Sequence, residues 1–171
     1  MEPRRRARQF LRAATARVAE AERAEAARIL GADLSPLFLS MSVWDQRHGL
    51  SVCGRLRRRG LETPELLRAA LLHDCGKTGA RIRLWHRVAS VLLRALAPGL
   101  WRSDFWDAPG TWRYPFHVYR EHPALGARMA AEARGSEAVA ELIRLHEDPS
   151  APPQTADGSE LAALQAADRE G

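Results

Sequence analysis

Four histidines and two aspartates are spaced along the chain as the ligands of a metal site in a helical protein would be. The set consists of His48, His73, Asp74, His122, His146 and Asp168. Its four histidines fall on or at the ends of separate predicted helices, and helical bundles build metal sites from inward-facing side chains of several helices. Imidazole and carboxylate ligands without a thiolate favour manganese, iron or magnesium over structural zinc. The pattern therefore predicts a divalent-metal site inside a helical bundle.

Lys77 is the only lysine among 26 lysine and arginine residues, and it closes the segment "LLHDCGK" at 71–77. A position that keeps lysine against so strong an arginine bias indicates a need for a compact, hydrated ammonium rather than a planar guanidinium. Its place beside His73 and Asp74 indicates a functional site. A solvated side chain after a helix end is the alternative interpretation.

The elements that must position these residues are predicted to be helices, because no alternating apolar and β-branched run is long enough for a sheet. Ser35-Pro36 and Thr63-Pro64 each supply an N-cap followed by proline at the first helical position. The first is expected to open a helix that runs through His48 to Gly60. The second opens a helix that ends at the His73-Asp74 pair. Further helices are predicted over residues 5–30, 82–97, 121–133, 136–146 and 159–169.

Length and composition favour a single all-α domain, because 171 residues that are 46% hydrophobic can bury a substantial core. We expect residues 1–34 to form an N-terminal extension with an amphipathic helix, and residues 35–171 to form the main bundle. The two cysteines, Cys53 and Cys75, have no CxxC spacing, and no secretory signal is recognisable. A cytoplasmic localisation is therefore expected.

The net charge of +5 would attract nucleic acid, anionic lipid or phosphorylated small molecules. Solvated helix faces in an arginine-rich chain would produce the same excess. The most hydrophobic stretch, residues 84–101, contains His86, Arg87 and Arg94, whereas a membrane span needs about 20 uninterrupted apolar residues. No transmembrane segment is predicted, and this stretch is interpreted as a partly buried amphipathic helix or a membrane-surface helix.

Aromatic residues are concentrated in residues 85–119, where arginines are interleaved with them. Aromatic faces could stack a nucleobase while arginines bind phosphates. Trp112, Arg113, His117 and Arg120 are therefore candidate substrate contacts. A structural role, in which the rings close a small core or anchor a homodimer, would explain the same residues.

The order of the histidines and aspartates resembles that of the HD superfamily of metal-dependent phosphohydrolases. "RHGLSVCGRL" at 47–56 is similar to the first-histidine helix of the family, and "LLHDCGK" to its signature dyad. "EHPALGARMA" at 121–130 is similar to the histidine helix of two-metal members. "LIRLHED" at 142–148 and "LQAADRE" at 164–170 are similar to the last two motifs. The resemblance implies an HD-domain helical bundle over residues 35–171.

The resemblance also implies two divalent metal ions, with iron, manganese or magnesium as the expected elements. The implied ligands of the first ion are His48, His73, Asp74 and Asp168, and those of the second are His122, His146 and the bridging Asp74. Two such ions would clamp a phosphate and activate a water for hydrolysis at phosphorus. Asp74 and Lys77 are then the candidate catalytic residues, and Lys77 could bind a phosphate oxygen or the leaving group of the substrate.

We therefore expect a metal-dependent phosphohydrolase, either a phosphomonoesterase or a phosphodiesterase, that acts on a nucleotide or a related phosphorylated small molecule. No DNA or RNA partner is required. The alternative is a non-catalytic sensor or interaction protein that binds metal or nucleotide. The segment "LHEDP" at 145–149 lacks the paired histidines and Gly-Tyr-Pro motif of the cyclic-di-GMP phosphodiesterase branch. That branch is therefore disfavoured. The branch that splits diadenosine tetraphosphate symmetrically shares the order of the motifs, but its His-Thr after the fourth histidine is not found here, so the resemblance to it is moderate at best.

Overall fold

The computed structural model describes residues 17–148, 150 and 158–170. Over these residues the chain forms α-helices and short 3₁₀ helices, and no strand is present among them. The α-helices are α1 (Glu20–Ser40), α2 (Val43–Arg58), α3 (Pro64–Leu72), α4 (Leu84–Leu96), α5 (Pro98–Trp101), α6 (Tyr114–Glu132), α7 (Glu137–Leu145) and α8 (Gly158–Arg169). The first 3₁₀ helix is Cys75–Gly79 and the second is Asp104–Trp106. The all-α prediction is confirmed.

The helices predicted from Thr63-Pro64 onward are largely confirmed. Thr63 is the N-cap of α3 and Pro64 occupies its first turn, as the sequence predicted. Ser136 caps α7, where its hydroxyl accepts a hydrogen bond from the Val139 amide at 3.3 Å. The predicted helices over 82–97 and 159–169 correspond to α4 and α8. Caps and periodicity were sufficient signals for these elements.

The single helix predicted from Ser35-Pro36 to Gly60 is wrong. Pro36 lies inside α1, which ends at Ser40, and α2 begins at Val43. The actual start signal is Ser42, whose hydroxyl accepts a hydrogen bond from the Asp45 amide at 3.2 Å. The upstream break is at Gly31, whose φ of 74° lies in the left-handed region that glycine adopts without steric cost. Ser35 and Ser42 are both sequence signals for a helix start, but of these two only the Ser42 side chain caps a helix.

The helix predicted over 121–133 begins earlier, at Tyr114, so His117 and Arg120 lie on α6 rather than in a loop. Pro115 is tolerated there because the first-turn amides of a helix have no intrahelical acceptor. At the other end of the chain, the predicted helix over 5–30 agrees with α1 from Glu20 onward. Its residues up to 16 lie outside the described part of the chain.

The main core is formed by apolar side chains of α1, α2, α3, α6, α7 and α8. Its fully buried members include Val52, Leu56, Leu72, Ile143 and Leu164. Residues of α1 on both sides of the predicted 34/35 boundary pack into this same core. The boundary itself remains a prediction. A smaller cluster of Trp101, Trp106 and Phe116 lies under α4 and α5.

Helix α4 differs from the core helices in the direction of its apolar residues. His86 and Ser90 are buried, whereas Val88, Val91 and Leu92 are about half exposed. No described helix combines the length and the hydropathy that crossing a membrane would require. The interior of the fold therefore depends on the other helices, and α4 closes one side over the small aromatic cluster.

Candidate metal centre

The six side chains singled out by their spacing converge in one place. The structure brings them together in three overlapping groups, and within each group the potential ligand atoms lie within 4.8 Å of one another. The groups are His48, His73 and Asp74; His73, His146 and Asp168; and Asp74, His122 and His146. Five helices and the first 3₁₀ helix surround this centre. Residues separated by 120 positions thereby meet: His48 Nε2 lies 2.7 Å from Asp168 Oδ1.

Gly76 allows the His73-Asp74 pair to approach α6. A Cβ atom at Gly76 would lie 2.1 Å from the carbonyl oxygen of His122 and 2.6 Å from the amide nitrogen of Gly126. No side chain fits in that space, so the backbone of the first 3₁₀ helix can lie directly against α6 only with glycine at this position. The close approach places Asp74 Oδ1 3.3 Å from His122 Nε2. Gly76 is therefore required for the close packing that brings Asp74 to His122.

Three histidines are oriented by backbone carbonyls of their own helices. His73 Nδ1 lies 2.9 Å from Ala70 O, His122 Nδ1 2.8 Å from Tyr119 O, and His146 Nδ1 2.7 Å from Ile143 O. A carbonyl oxygen only accepts, so each Nδ1–H donates and each Nε2 is left with its lone pair directed into the centre. The backbone thus fixes both the tautomer and the direction of these rings.

The accepting carbonyls are available because of where they lie in their helices. Ala70 and Ile143 belong to the last turns of α3 and α7, where carbonyls have no further intrahelical donors. Tyr119 lies in the middle of α6, but the residue four positions later is Pro123, which has no N–H to donate. His122 takes the place of that missing donor. Sequence reasoning did not find these orienting partners, although Pro123 directly after His122 was an available signal.

The donor set fits a divalent cation. His73 Nε2 is buried and has no hydrogen-bond partner among the described residues. The Nε2 atoms of His122 and His146 lie 3.2 Å apart, and neither carries a proton to share when both Nδ1 atoms are protonated. Buried lone pairs that face one another are destabilising unless a cation or donor lies among them. With the Asp74 and Asp168 carboxylates beside them, these imidazoles could hold a divalent metal ion.

Two of these imidazoles, those of His73 and His146, have lowered pKa values. Burial, followed by the neighbouring histidines His73 and His122, lowers the pKa of His146 to about 3. Burial also lowers the pKa of His73. These rings need not lose a proton to bind a metal ion at pH 7. Cys75 belongs to none of the three groups of potential ligands: its thiol lies 3.7 Å from Gly126 O, and burial raises the pKa of the thiol to about 12.

Asp74 and Lys77 form a buried ion pair. Lys77 Nζ lies 2.6 Å from Asp74 Oδ1, and the two side chains are 9% and 5% exposed. Burial by itself would raise the pKa of Asp74, but the Lys77 ammonium holds that pKa well below its usual value. The Lys77 ammonium also lies 5.1 Å from the centroid of the Tyr119 ring. The only lysine of the chain is thus a buried partner of the dyad and not a solvated residue after a helix end.

The candidate substrate contacts are distributed over the aromatic region and do not form one group. The Arg113 guanidinium lies 4.4 Å from the centroid of the Phe105 ring, and His117 stacks on Tyr114 with their ring centroids 5.5 Å apart. Trp112 is 64% exposed. Arg120 donates to the carbonyls of two residues near α5. Much of the region is structural, in agreement with the alternative interpretation that its rings close a small core.

A surface pocket of about 310 Å³ lies between this region and the centre. It is lined by Arg94, Pro98, Trp101, Arg102, Arg120 and Glu147. Trp101 contacts Tyr119 with ring centroids 6.4 Å apart, and Tyr119 lies 5.9 Å from the His122 ring. The pocket wall is therefore one aromatic ring away from the metal-ligand candidates. Arg94 is paired with Glu147 in this lining and Arg120 is paired with Glu121, so the positive charge left in the lining is that of Arg102.

The comparison with known proteins is informative at the level of the family. Neither the curated proteins nor the solved structures contain a significant match to this chain. The family model described as the HD domain matches residues 46–170, a span that includes all six converging side chains. Since this match covers well over half of the chain, the protein belongs to the HD domain family.

Proposed function

We propose that this protein is a divalent-metal-dependent phosphohydrolase that acts on a nucleotide or a related phosphorylated small molecule. The HD domain places it in a superfamily of metal-dependent phosphohydrolases. The observation that carries the proposal is the convergence of buried imidazoles and carboxylates with three Nε2 lone pairs directed inward. A purely structural histidine cluster would satisfy these nitrogens with protein donors.

The residues divide into two ligand groups that share one carboxylate. His48, His73, Asp74 and Asp168 would hold one ion, and His122 and His146 would hold a second together with Asp74. The groups around His48 and around His122 both include Asp74, as a shared ligand would require, and the third group, His73, His146 and Asp168, takes ligands from both sets. Divalent ions bound there would supply Lewis acidity toward a phosphoryl oxygen and toward water. Hydrolysis breaks the phosphorus–oxygen bond to the leaving group and forms a new one to the oxygen of water.

Lys77 is proposed to act on the reaction through charge. Its ammonium fixes Asp74 at 2.6 Å, and it lies on the Tyr119 side of the dyad, towards the arginine-lined pocket. An ammonium at this position can stabilise a phosphate oxygen or a leaving group as a point charge. Asp74 and Lys77 thus remain the proposed catalytic residues. The pocket beside Tyr119 is proposed to receive a phosphate or another anionic part of the substrate, with Arg102 and Arg120 in its wall.

The test combines metal analysis with a substrate panel. We expect the purified protein to bind about two equivalents of divalent metal. It should also hydrolyse at least one member of a panel of nucleotides, dinucleoside polyphosphates and cyclic dinucleotides in manganese, iron, cobalt or magnesium. Asp74→Asn removes the shared charge and should abolish turnover while lowering metal content. Asp33→Asn, at an exposed position of α1, is the matched control and should leave both unchanged.

The outcomes separate the competing functions. Metal binding without turnover of any compound would favour the sensor or interaction protein. Protein that neither binds metal nor turns over substrate after reconstitution would exclude the enzyme. Retained turnover in the His122→Ala, His146→Ala double variant would show that one ion suffices.

A further inference from the structure

Helix α4 presents a continuous apolar face to solvent. The exposed residues are Leu84, Trp85, Val88, Val91, Leu92 and Leu96, with exposed fractions from 44% to 80%. Their spacing of three, four and seven positions places them on one side of a helix. The opposite side, which packs inward, contains the buried polar residues His86 and Ser90. A helix that needed only to stabilise the fold would be oriented the other way.

A second exposed tryptophan, Trp112, extends the apolar surface beside this face. Trp85 and Trp112 both lie against Phe116, with ring centroids 5.6 Å and 6.4 Å from it. Both tryptophans are about half exposed or more. Leu100 of α5 is also exposed, at 43%. Aliphatic side chains flanked by exposed tryptophans are typical of helices that lie at a membrane interface.

The charges within the segment that carries this face all have one sign, whereas the exposed Asp104 and Asp107 follow it directly. From Cys75 to Ser103 the sequence contains no aspartate or glutamate, but it contains one lysine and five arginines. Two of those arginines are paired with carboxylates: Arg87 binds Asp45 at 2.9 Å in a largely buried pair, and Arg94 binds Glu147 at 3.3 Å in an exposed one. Arg81 and Arg83 are exposed just before the start of α4, and Arg102 is exposed after α5. Exposed cations therefore lie beyond both ends of the apolar face.

This charge distribution distinguishes between the occupants that could cover the face. A second copy docked through α4 would bring two all-cationic segments together, and like charges oppose that contact. The N-terminal residues 1–16 include the arginine-rich run at 4–8 and carry the same sign. An anionic bilayer instead offers hydrocarbon to the apolar residues and negative headgroups to the arginines, each of which gains from the contact.

We propose that α4 is a membrane-surface helix that binds this protein to bilayers containing anionic lipid. The face of Val88, Val91 and Leu92 would lie at the boundary between headgroups and acyl chains. Arg81 and Arg83 would contact the headgroups. This attachment is peripheral, and it does not depend on the metal centre.

The test is vesicle binding by the full chain. We expect it to sediment with phosphatidylcholine vesicles that contain about one-third phosphatidylglycerol and to remain in solution with pure phosphatidylcholine. Leu92→Glu should reduce binding by at least about tenfold, because it places a charge in the apolar face. Leu39→Glu is the matched control, since Leu39 is 55% exposed and Leu92 is 53% exposed, but Leu39 lies on α1. Arg83→Gln should weaken binding about fivefold, and Arg128→Gln much less.

Several results would overturn the proposal. Equal binding to neutral and anionic vesicles would show that the arginines do not contribute to binding. Equal loss of vesicle binding in Leu39→Glu and Leu92→Glu would show that binding does not depend on α4. Light scattering that reveals a dimer dissociated by Leu92→Glu alone would assign the face to a second copy. Circular dichroism of each variant, which should match the unchanged protein because the substituted residues are exposed, excludes misfolding as the cause.

Discussion

The metal centre and the face of α4 depart from the usual arrangement of a globular protein in opposite directions. The centre places His73, Asp74, His122 and His146 in the interior, each no more than 4% exposed. The α4 face places leucines, valines and a tryptophan in solvent. Buried polar groups and exposed apolar patches are the informative departures, because ordinary surfaces and cores need neither. Both regions therefore carry features that the stability of the fold does not require.

The two departures differ in how they are held. The polar groups of the centre are fixed by close backbone packing, as at Gly76, and by helix carbonyls that orient the rings. The apolar side of α4 is about half exposed, with Trp85 packed against Phe116. Its polar side binds α2 through the Arg87–Asp45 pair. Substitutions in the centre should therefore disturb the fold, and substitutions on the face should disturb only binding. Three predictions test this contrast.

The largest effect is expected for Gly76→Ala. The added Cβ would lie 2.1 Å from His122 O, so the first 3₁₀ helix must move away from α6 and the centre must open. We expect a loss of more than about 4 kcal/mol in the free energy of unfolding, or failure to fold. Denaturant unfolding, monitored by circular dichroism, measures this change in the free energy of unfolding.

Gly79→Ala is the matched control for that experiment, because it lies in the same 3₁₀ helix. A Cβ at Gly79 would contact Val118 at an ordinary 3.5 Å. The free energy of unfolding of the Gly79→Ala variant should stay within about 0.5 kcal/mol of that of the unchanged protein. Equal stability of the two variants would contradict the close-packing account of the centre.

An intermediate effect is expected for Lys77→Met, which leaves the buried Asp74 carboxylate without its cation. Without metal, we expect a loss of about 3 kcal/mol in the free energy of unfolding. Manganese should recover part of that loss, since a bound cation replaces the missing charge next to Asp74. Thermal unfolding with chelator and with manganese makes the comparison.

The exposed pair Arg94–Glu147 supplies the control, because the Arg94 side chain is 50% exposed. Arg94→Met should cost less than about 1 kcal/mol with or without metal. A Lys77→Met variant as stable as the unchanged protein in chelator would show that the Asp74–Lys77 pair contributes nothing to the fold.

The smallest effect is expected for Leu92→Ala on the α4 face. Because Leu92 is 53% exposed, its truncation should change the free energy of unfolding by no more than about 0.5 kcal/mol. Leu72→Ala, in the fully buried last turn of α3, should cost about 2 to 5 kcal/mol by leaving a cavity. Comparable losses in the two variants, measured by denaturant unfolding, would mean that the α4 face is buried in solution.

Much of the fold was accessible from sequence because its start signals are local. Pro64 lies in the first turn of α3 and Ser136 accepts a hydrogen bond from the Val139 amide, so no distant contact is needed to recognise these two starts. The Thr63 hydroxyl makes no capping bond. The interpretation of Ser35-Pro36 was wrong because proline is also tolerated within a helix that a neighbouring glycine has already broken. The start of α6 at Tyr114 was not predicted because Tyr114-Pro115 lies in an aromatic stretch whose apolar residues lack a regular helical spacing.

For the centre, the sequence by itself determined which six residues could come together, since few side chains bind metal and their order along the chain is distinctive. Only the tertiary structure decided how they meet. The approach of Asp74 to His122 depends on Gly76 packing against a backbone 46 positions later, and a carbonyl freed by Pro123 orients His122. The exposure of the α4 face was equally undetermined, because an amphipathic pattern specifies that two faces differ. Which face turns inward is set by the surfaces that the rest of the fold offers.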